Sequence, residues 1–486
     1  MSGTTTNSIV QRLWGLCNIL RDDGITYQDY VTELTYLLFL KMLAETGKEN
    51  LLPAEARWSG LTGREGDALL AHYRATLLNL GIAANPGIRM IFTDAQTALR
   101  KPANLRELVG AIDKLDWYSA KEEGLGDLYE GLLEKNAGEK KSGAGQYFTP
   151  RALIDCMTRL LQPQPGEMVQ DPAAGTGGFL VAADRYIKAR SNDLFDLPKA
   201  QQDFQRRSAF TGLELVPGTH RLLMMNLLLH GIEPDSVKGG DTLGPDGEGL
   251  GQADLILSNP PFGTKKGGGR PVRSDFTITA ETSNKQLAFV EHIIRGLKPG
   301  GRAGIVLPDN VLFADGAGRA LREWMMEVAD LHTILRLPTG IFYAQGVKTN
   351  VIFLQKGHTP RGTTKGVWVW DMRAGQPAYG KTRPLCVEDF ADFEAAYGAE
   401  PNGTAPRVDQ GAEERWRRFS RAEIASRGEN LDISWLRVSD EAAEDSLEEP
   451  EDILDAIRVH LAKAMAEIEG LAIELSPDAL IAEAAE

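Results

Sequence analysis

The hydrophobic positions change their period along the chain, and the changes divide it. From residue 8 to about 144, apolar side chains recur at helical spacing: Val31, Leu34, Leu37, Leu38 and Met42 share one face, and Leu108, Ile112, Leu125, Leu128, Tyr129 and Leu132 repeat the pattern between Leu105 and Leu133. A helical N-terminal domain is expected over 1–144, closing in residues 136–145, whose glycines, lysines and glutamate read as a flexible link. From there short apolar runs at 168–170, 209–213, 254–257, 303–307, 334–335, 351–354 and 367–370 alternate with helical stretches. Strands separated by helices need crossover connections, so residues 145–375 are expected to form an α/β domain on a mainly parallel sheet. The runs at 331–337 and 350–354 lie close enough in the chain to pair as an antiparallel hairpin at the edge of that sheet.

Beyond residue 375 the periodicity weakens. Scattered prolines and glycines over 376–408 predict an irregular extension, taken here as 376–440. A helix returns in 441–486, where Ile453, Ile457, Leu461, Met465, Ile468 and Leu471 follow spacings of three and four. It is preceded by Glu448, Glu449, Glu451 and Asp452, whose charges suit a helix N-terminus. This acidic tail has one apolar stripe, which packs either on its own domain or on a partner subunit.

Composition changes this picture in one respect. The formal charge of -15 over 486 residues looks wrong for a protein that touches nucleic acid. Residues 440–486, however, hold 15 acidic side chains against only Arg458 and Lys463, which leaves 51 basic and 53 acidic side chains on the rest. A near-neutral body can present a local basic surface, but its non-specific grip on DNA is weak, because phosphate neutralisation supplies most of that affinity. Cys17, Cys156 and Cys386 stand alone, without zinc-binding spacing or an even disulfide framework, as in a reducing compartment. The first residues show no leader pattern and no window approaches 18 apolar residues, so a cytoplasmic protein without bound metal is expected.

Two segments carry the chemistry. Asp171-Pro172-Ala173-Ala174-Gly175-Thr176-Gly177-Gly178-Phe179 follows a strand and opens a helix, so backbone amides can approach a ligand closely. A plain strand-to-helix turn or a nicotinamide site shares that geometry. The spacing is nevertheless Gly-x-Gly-Gly, and the next acidic strand end, Glu214, lies about 40 residues on, not the ~20 of a compact dinucleotide fold. Glu214 is placed to accept hydrogen bonds from two ribose hydroxyls and Asp241 to meet an adenine amine, unless either is an ordinary exposed acid, the usual fate of Glu and Asp. The second segment, Asn259-Pro260-Pro261-Phe262, ends the run at 254–258, where ligands bind in open sheets. Amide and backbone oxygens there can accept the protons of a planar ring amine held against an aromatic face. The glycine-rich stretch that follows holds Lys265, Lys266 and Arg270, with Arg273 just beyond, as candidate phosphate contacts.

Together with Gly145-Gln146-Tyr147-Phe148-Thr149-Pro150-Arg151, these segments resemble the S-adenosylmethionine-dependent DNA adenine-N6 methyltransferases, and more closely the modification subunits of type I restriction-modification systems. The likeness extends through 301–308, 311–313, 337–342 and Thr349-Asn350, and covers about 8–356 well. It implies a Rossmann-like methyltransferase sheet. It places Gln146, Tyr147, Phe148, Thr149, Pro150 and Arg151 over the methionine side of S-adenosyl-L-methionine, with Ala173, Gly175, Thr176, Gly177 and Gly178 beneath it. Asp171 would meet the cofactor's amino group, and Glu214 its ribose. Asn259, Pro260, Pro261 and Phe262 would be catalytic. No base-reading module follows the catalytic region, and the resemblance accordingly implies a separate specificity subunit on double-stranded DNA, two modification subunits flanking it, and a restriction subunit that can join. A methyltransferase acting on a protein glutamine or a ribosomal guanine, and a stand-alone defence methylase, share the tetrapeptide chemistry.

Overall fold

A computed structural model of the chain describes residues 3–25, 30–117, 129–133, 149–233, 236–263, 269–342, 348–374, 379–380 and 383–436. The link at 136–145, the motif residues Gln146, Tyr147 and Phe148, the lysines Lys265 and Lys266, and the tail helix lie outside these.

The N-terminal part is helical. Its centre is the helix Tyr30–Glu45, in which Leu34, Leu37, Leu38, Phe39, Leu40 and Met42 are all fully buried. Burial on every side, not one stripe, marks a helix surrounded by others. Glu33 on this helix accepts hydrogen bonds from Thr97 Oγ1 at 2.7 Å and from the Ala98 amide, fastening the loop that leads to helix Pro102–Asp113. This region leans on the following one where helix Pro86–Phe92 meets helix Pro217–Leu229, and Arg221 donates to the carbonyls of Ile91 and Thr93 at 2.8 Å each.

The described residues form one nine-stranded sheet, with strands β1 (Val169–Asp171), β2 (Phe210–Glu214), β3 (Ser236–Gly239), β4 (Ala253–Ser258), β5 (Leu297–Pro308), β6 (Ala329–Leu337), β7 (Thr349–Lys356), β8 (Gly366–Asp371) and β9 (Trp416–Ser420). The order is β3-β2-β1-β4-β5-β7-β6-β8-β9. Strands β1 to β5 pair in parallel, as their helical crossovers require. The chain leaves β1 toward β2 and β3, then returns to β1's other side as β4. That reversal opens a crevice beyond the carboxyl ends of β1 and β4.

Two expectations change. Strands β6 and β7 do pair antiparallel, but the hairpin is interior: β7 joins β5, and β6 joins β8. Both are buried along nearly their whole length on both faces, as a central strand must be. The region expected to be irregular also holds order, with helix Ala391–Tyr397 and β9, which completes the sheet against β8. Its anchor is aromatic: Trp416 stacks on Trp368 with ring centroids 5.2 Å apart, Phe393 meets Trp416 edge to face, and Tyr397 meets Phe393 in the same way.

Candidate active site

Strand β1 ends in Asp171, a buried carboxylate whose Oδ1 accepts hydrogen bonds from the Ser258 hydroxyl at 2.8 Å and the Ala173 amide at 3.0 Å. Burial pushes its pKa up to about 7, against the pull of those two donors. The loop that follows turns through Gly175 and Gly177, both at positive φ. At Gly177 a Cβ would sit 2.6 Å from Leu223 Cδ1, so the loop lies directly on helix Pro217–Leu229 and only glycine fits. Gly178 then starts helix Gly178–Arg190, whose N-cap Gly177 supplies no side-chain cap for its first amides. Glu214, at the end of β2, accepts from the Gly175 amide at 3.0 Å and the Val216 amide at 2.8 Å. Its pKa is raised by burial and held back by these backbone donors. Asp241 follows β3 and caps its own turn through the Leu243 amide, while Thr242 donates to the Pro172 carbonyl at 2.5 Å. Glu214 after β2 and Thr242, the neighbour of Asp241 after β3, therefore both reach the loop that follows β1.

The cofactor-side motif and the tetrapeptide also meet. Thr149 Oγ1 accepts from Asn259 Nδ2 at 2.9 Å, with both residues nearly buried. Pro150 precedes helix Arg151–Leu161, and Arg151 turns to Glu130 at 2.8 Å. Asn259 is thus fixed from one side by Thr149, while its neighbour Ser258 is fixed from the other by Asp171. Pro260 is buried and Pro261 partly so; Phe262 is half-buried, with its ring meeting that of Phe342 edge to face at 6.3 Å. Phe342 lies on the connection from β6 to β7. Both ends of that connection are held by Arg373, which donates to the carbonyls of Leu337 at 3.0 Å and Thr349 at 2.9 Å and is anchored by Asp309.

Among the proposed DNA-facing cations, Arg273 is a correction. Its side chain is only 3% exposed and is consumed by Asp275, by the Thr242 carbonyl at 2.8 Å and by His292 Nδ1 at 3.0 Å, and it lies over the Phe276 ring. His292 is buried and its pKa falls to about 3, so it stays neutral and accepts from the guanidinium. Arg273 braces the turn after β3 and does not present charge to a phosphate. Arg270 is exposed and pairs with Glu281. Ser258, Phe342 and Arg373 were not among the expected site residues. Only Phe342 and Ser258 had a signal, by lying within or beside a quoted motif.

The nine-stranded sheet, with a glycine loop after β1 and an Asn-Pro-Pro-Phe turn after β4, has the fold of the S-adenosylmethionine-dependent methyltransferases. Comparison with known proteins narrows the class to a family. Residues 120–445 match the N-6 DNA Methylase family. Over 96% of its length the chain is 47% identical to the methylase subunits of the type I restriction enzymes StySPI from Salmonella potsdam and EcoKI from Escherichia coli, covering 95% of each. The crystal structure of the EcoKI M protein aligns over 96% of both chains with a TM-score of 0.58 and 42% identity. A modification subunit of a type I restriction enzyme from Vibrio vulnificus aligns over 92% of this chain and 99% of its own, with a TM-score of 0.72 and 26% identity. The chain belongs to the N-6 DNA methylase family, among the methylase subunits of type I restriction enzymes. No helix among the described residues is long and apolar enough to cross a membrane.

Proposed function

We propose that this chain is the modification subunit of a type I restriction-modification complex and methylates the exocyclic amine of an adenine rotated out of double-stranded DNA. The observation that carries the reading is the Asn259–Thr149 hydrogen bond, which joins the cofactor-side motif to the tetrapeptide beside a half-exposed Phe262.

The donors and acceptors fit S-adenosylmethionine. Glu214 stands at the strand end suited to a ribose diol, and the exposed apolar side chains of Leu215 and Val216 lie beside it for a purine face. Gly175, Thr176, Gly177 and Gly178, with Ala173, form a backbone cradle too tight for larger residues at Gly177. Asp171 and the residues from Gln146 to Arg151 are assigned to the methionine end, and Asp241 to the adenine amine. When bound, this cofactor supplies an electrophilic methyl group on a sulfonium.

The chain's own residues then solve a nucleophilicity problem. The amine lone pair of adenine is delocalised into the ring. The side-chain oxygen of Asn259 and the carbonyl of Pro260 accept hydrogen bonds from the two amine N–H groups, which favours a tetrahedral nitrogen with its lone pair directed out of the ring; the one surplus proton leaves to solvent after methyl transfer. Two successive prolines keep these acceptors stiff, so they oppose the developing positive charge without reorganising. Thr149 holds the Asn259 amide by its nitrogen end and so sets its rotation. Phe262 stacks on the extruded base, returning roughly 1–3 kcal/mol against an extrusion cost of a few kcal/mol.

Arg270, with Lys265 and Lys266, contacts phosphates near the crevice. Sequence choice is delegated to a specificity subunit, flanked by two copies of this chain, to which a restriction subunit can be added; the tail helix of 441–486 is the contact to that subunit. Supporting this are the near-neutral body and the absence of a base-reading motif. A solved structure of a type I R-M system that addresses complex assembly also aligns with 97% of this chain, with a TM-score of 0.71 and 26% identity. The direct test is Asn259→Ala in the complete complex. Methyl transfer should fall by about 10² to 10³, the loss typical of removing one fixed polar group from a reacting centre, with cofactor binding intact. Near-normal transfer overturns the assignment.

A further inference from the structure

Glu130 lies far from the crevice in the sequence, on the helical residues 129–133 that precede the cofactor motif, yet it is buried and doubly engaged. One carboxylate oxygen pairs with Arg151 at 2.8 Å, at the start of helix Arg151–Leu161. The other accepts from Asn226 Nδ2 at 3.4 Å, and the same nitrogen donates to the carbonyl of Thr176, in the glycine loop, at 2.9 Å. Asn226 is fully buried on helix Pro217–Leu229, next to Leu223 and Leu227, the side chains on which Gly177 rests. On its other side the short helical segment is fastened to the N-terminal part. There a Cβ at Gly131 would lie 3.2 Å from Val10 Cγ2 on the helix Gly3–Gly15, while the fully buried Tyr129 turns back to helix Pro217–Leu229, its hydroxyl 3.4 Å from Met225 Sδ.

A buried carboxylate is costly unless it is paired and hydrogen-bonded, and both contacts of Glu130 meet that need. The two contacts reach opposite sides of the same pocket: Arg151 stands two residues after Thr149, which holds Asn259, and Thr176 is in the loop proposed beneath the cofactor. We infer that Glu130 is a positioning residue, which holds both sides of the cofactor pocket and couples its closure to the seating of 129–133 on the N-terminal helices. This rests on the cofactor assignment made above.

Glu130→Gln keeps the volume and removes the charge. In the full chain, calorimetry with S-adenosylhomocysteine should show affinity reduced about tenfold. In the complex with its specificity subunit, KM for S-adenosylmethionine should rise by a similar factor, while kcat at saturation changes less than threefold. A residue that only supports the fold would lower the melting midpoint without this split. Arg151→Gln should give a similar loss, and the double variant should be no worse than the weaker-binding single. Should Glu130→Gln not fold, Asn226→Ala, which leaves the ion pair in place, is expected to weaken binding in the same way. Affinity within twofold of the parent in whichever of these variants folds, or losses that multiply in the double variant, overturns the inference. Glu214→Ala separates the two levels. If it loses the ligand while Glu130→Gln does not, only the coupling fails; if it too binds normally, the cofactor assignment itself fails.

Discussion

Asp171 shows how one residue's surroundings set a measurable property. Its folded pKa of about 7 stands above the ordinary carboxylate value of ~3.9, chiefly because the charged form is desolvated. The folded state therefore prefers the neutral acid: the stability tied to it is complete below about pH 4 and is lost as pH rises through 7. Asp171→Asn removes that dependence. The difference in melting midpoint, variant minus parent, should become more positive between pH 5 and 8, within a ceiling of about 4 kcal/mol at 1.36 kcal/mol per pH unit. A difference that stays flat with pH contradicts the buried-acid reading. At this scale the sequence was legible where a motif carried the residue type, as at Glu214 and Asn259. It was not legible where function depends on a partner distant in the chain. Nothing near Arg273 announces that His292 and the Thr242 carbonyl will enclose it, and a cation two residues from Asp275 on a glycine-rich stretch reads equally well as a phosphate contact.

Among the elements, the turn after β4 and the stretch that follows it separate two kinds of arginine. Replacing Lys265, Lys266 and Arg270 together should reduce the slope of log affinity for DNA against log salt by about 1 to 3, since each phosphate contact adds ~0.9. Arg273→Ala should leave that slope unchanged and instead destabilise the fold by on the order of 3 kcal/mol, because it strips the partner from Asp275 and from buried acceptors. Denaturant melts and filter binding at several salt concentrations distinguish these outcomes; a salt slope that falls with Arg273→Ala would return that residue to the interface. Every strand of the sheet except β3 and β9 coincided with an apolar run, because a strand buried on both faces has no period to hide, whereas β3 buries only Val237. Placement failed where the information is not local. The β6–β7 pairing follows from nearness in the chain, but its interior position depends on β5 accepting β7 and on β8 covering β6. Strand β9, with its Trp-Arg-Arg-Phe-Ser sequence, is held by stacking of Trp416 on Trp368 across the sheet, which no local pattern displays.

For the molecule as a whole, charge and architecture argue for division of labour. A body balanced between 51 basic and 53 acidic side chains outside 440–486 has little reserve for non-specific DNA binding, so grip and sequence choice are assigned to a partner. Deleting residues 450–486 should release the specificity subunit in size-exclusion chromatography; an intact complex refutes the tail as the contact. The central claim is that an extruded adenine is methylated at its exocyclic amine by acceptors on the Asn259 turn. The most direct measurement incubates the chain, with and without a co-expressed specificity subunit, with labelled S-adenosylmethionine and DNA, followed by mass analysis of the nucleosides. N6-methyladenine that forms with the specificity subunit, stays near background without it and disappears with Asn259→Ala is the predicted result. Label in another base or in protein, or N6-methyladenine that persists in the Asn259→Ala complex, contradicts the account.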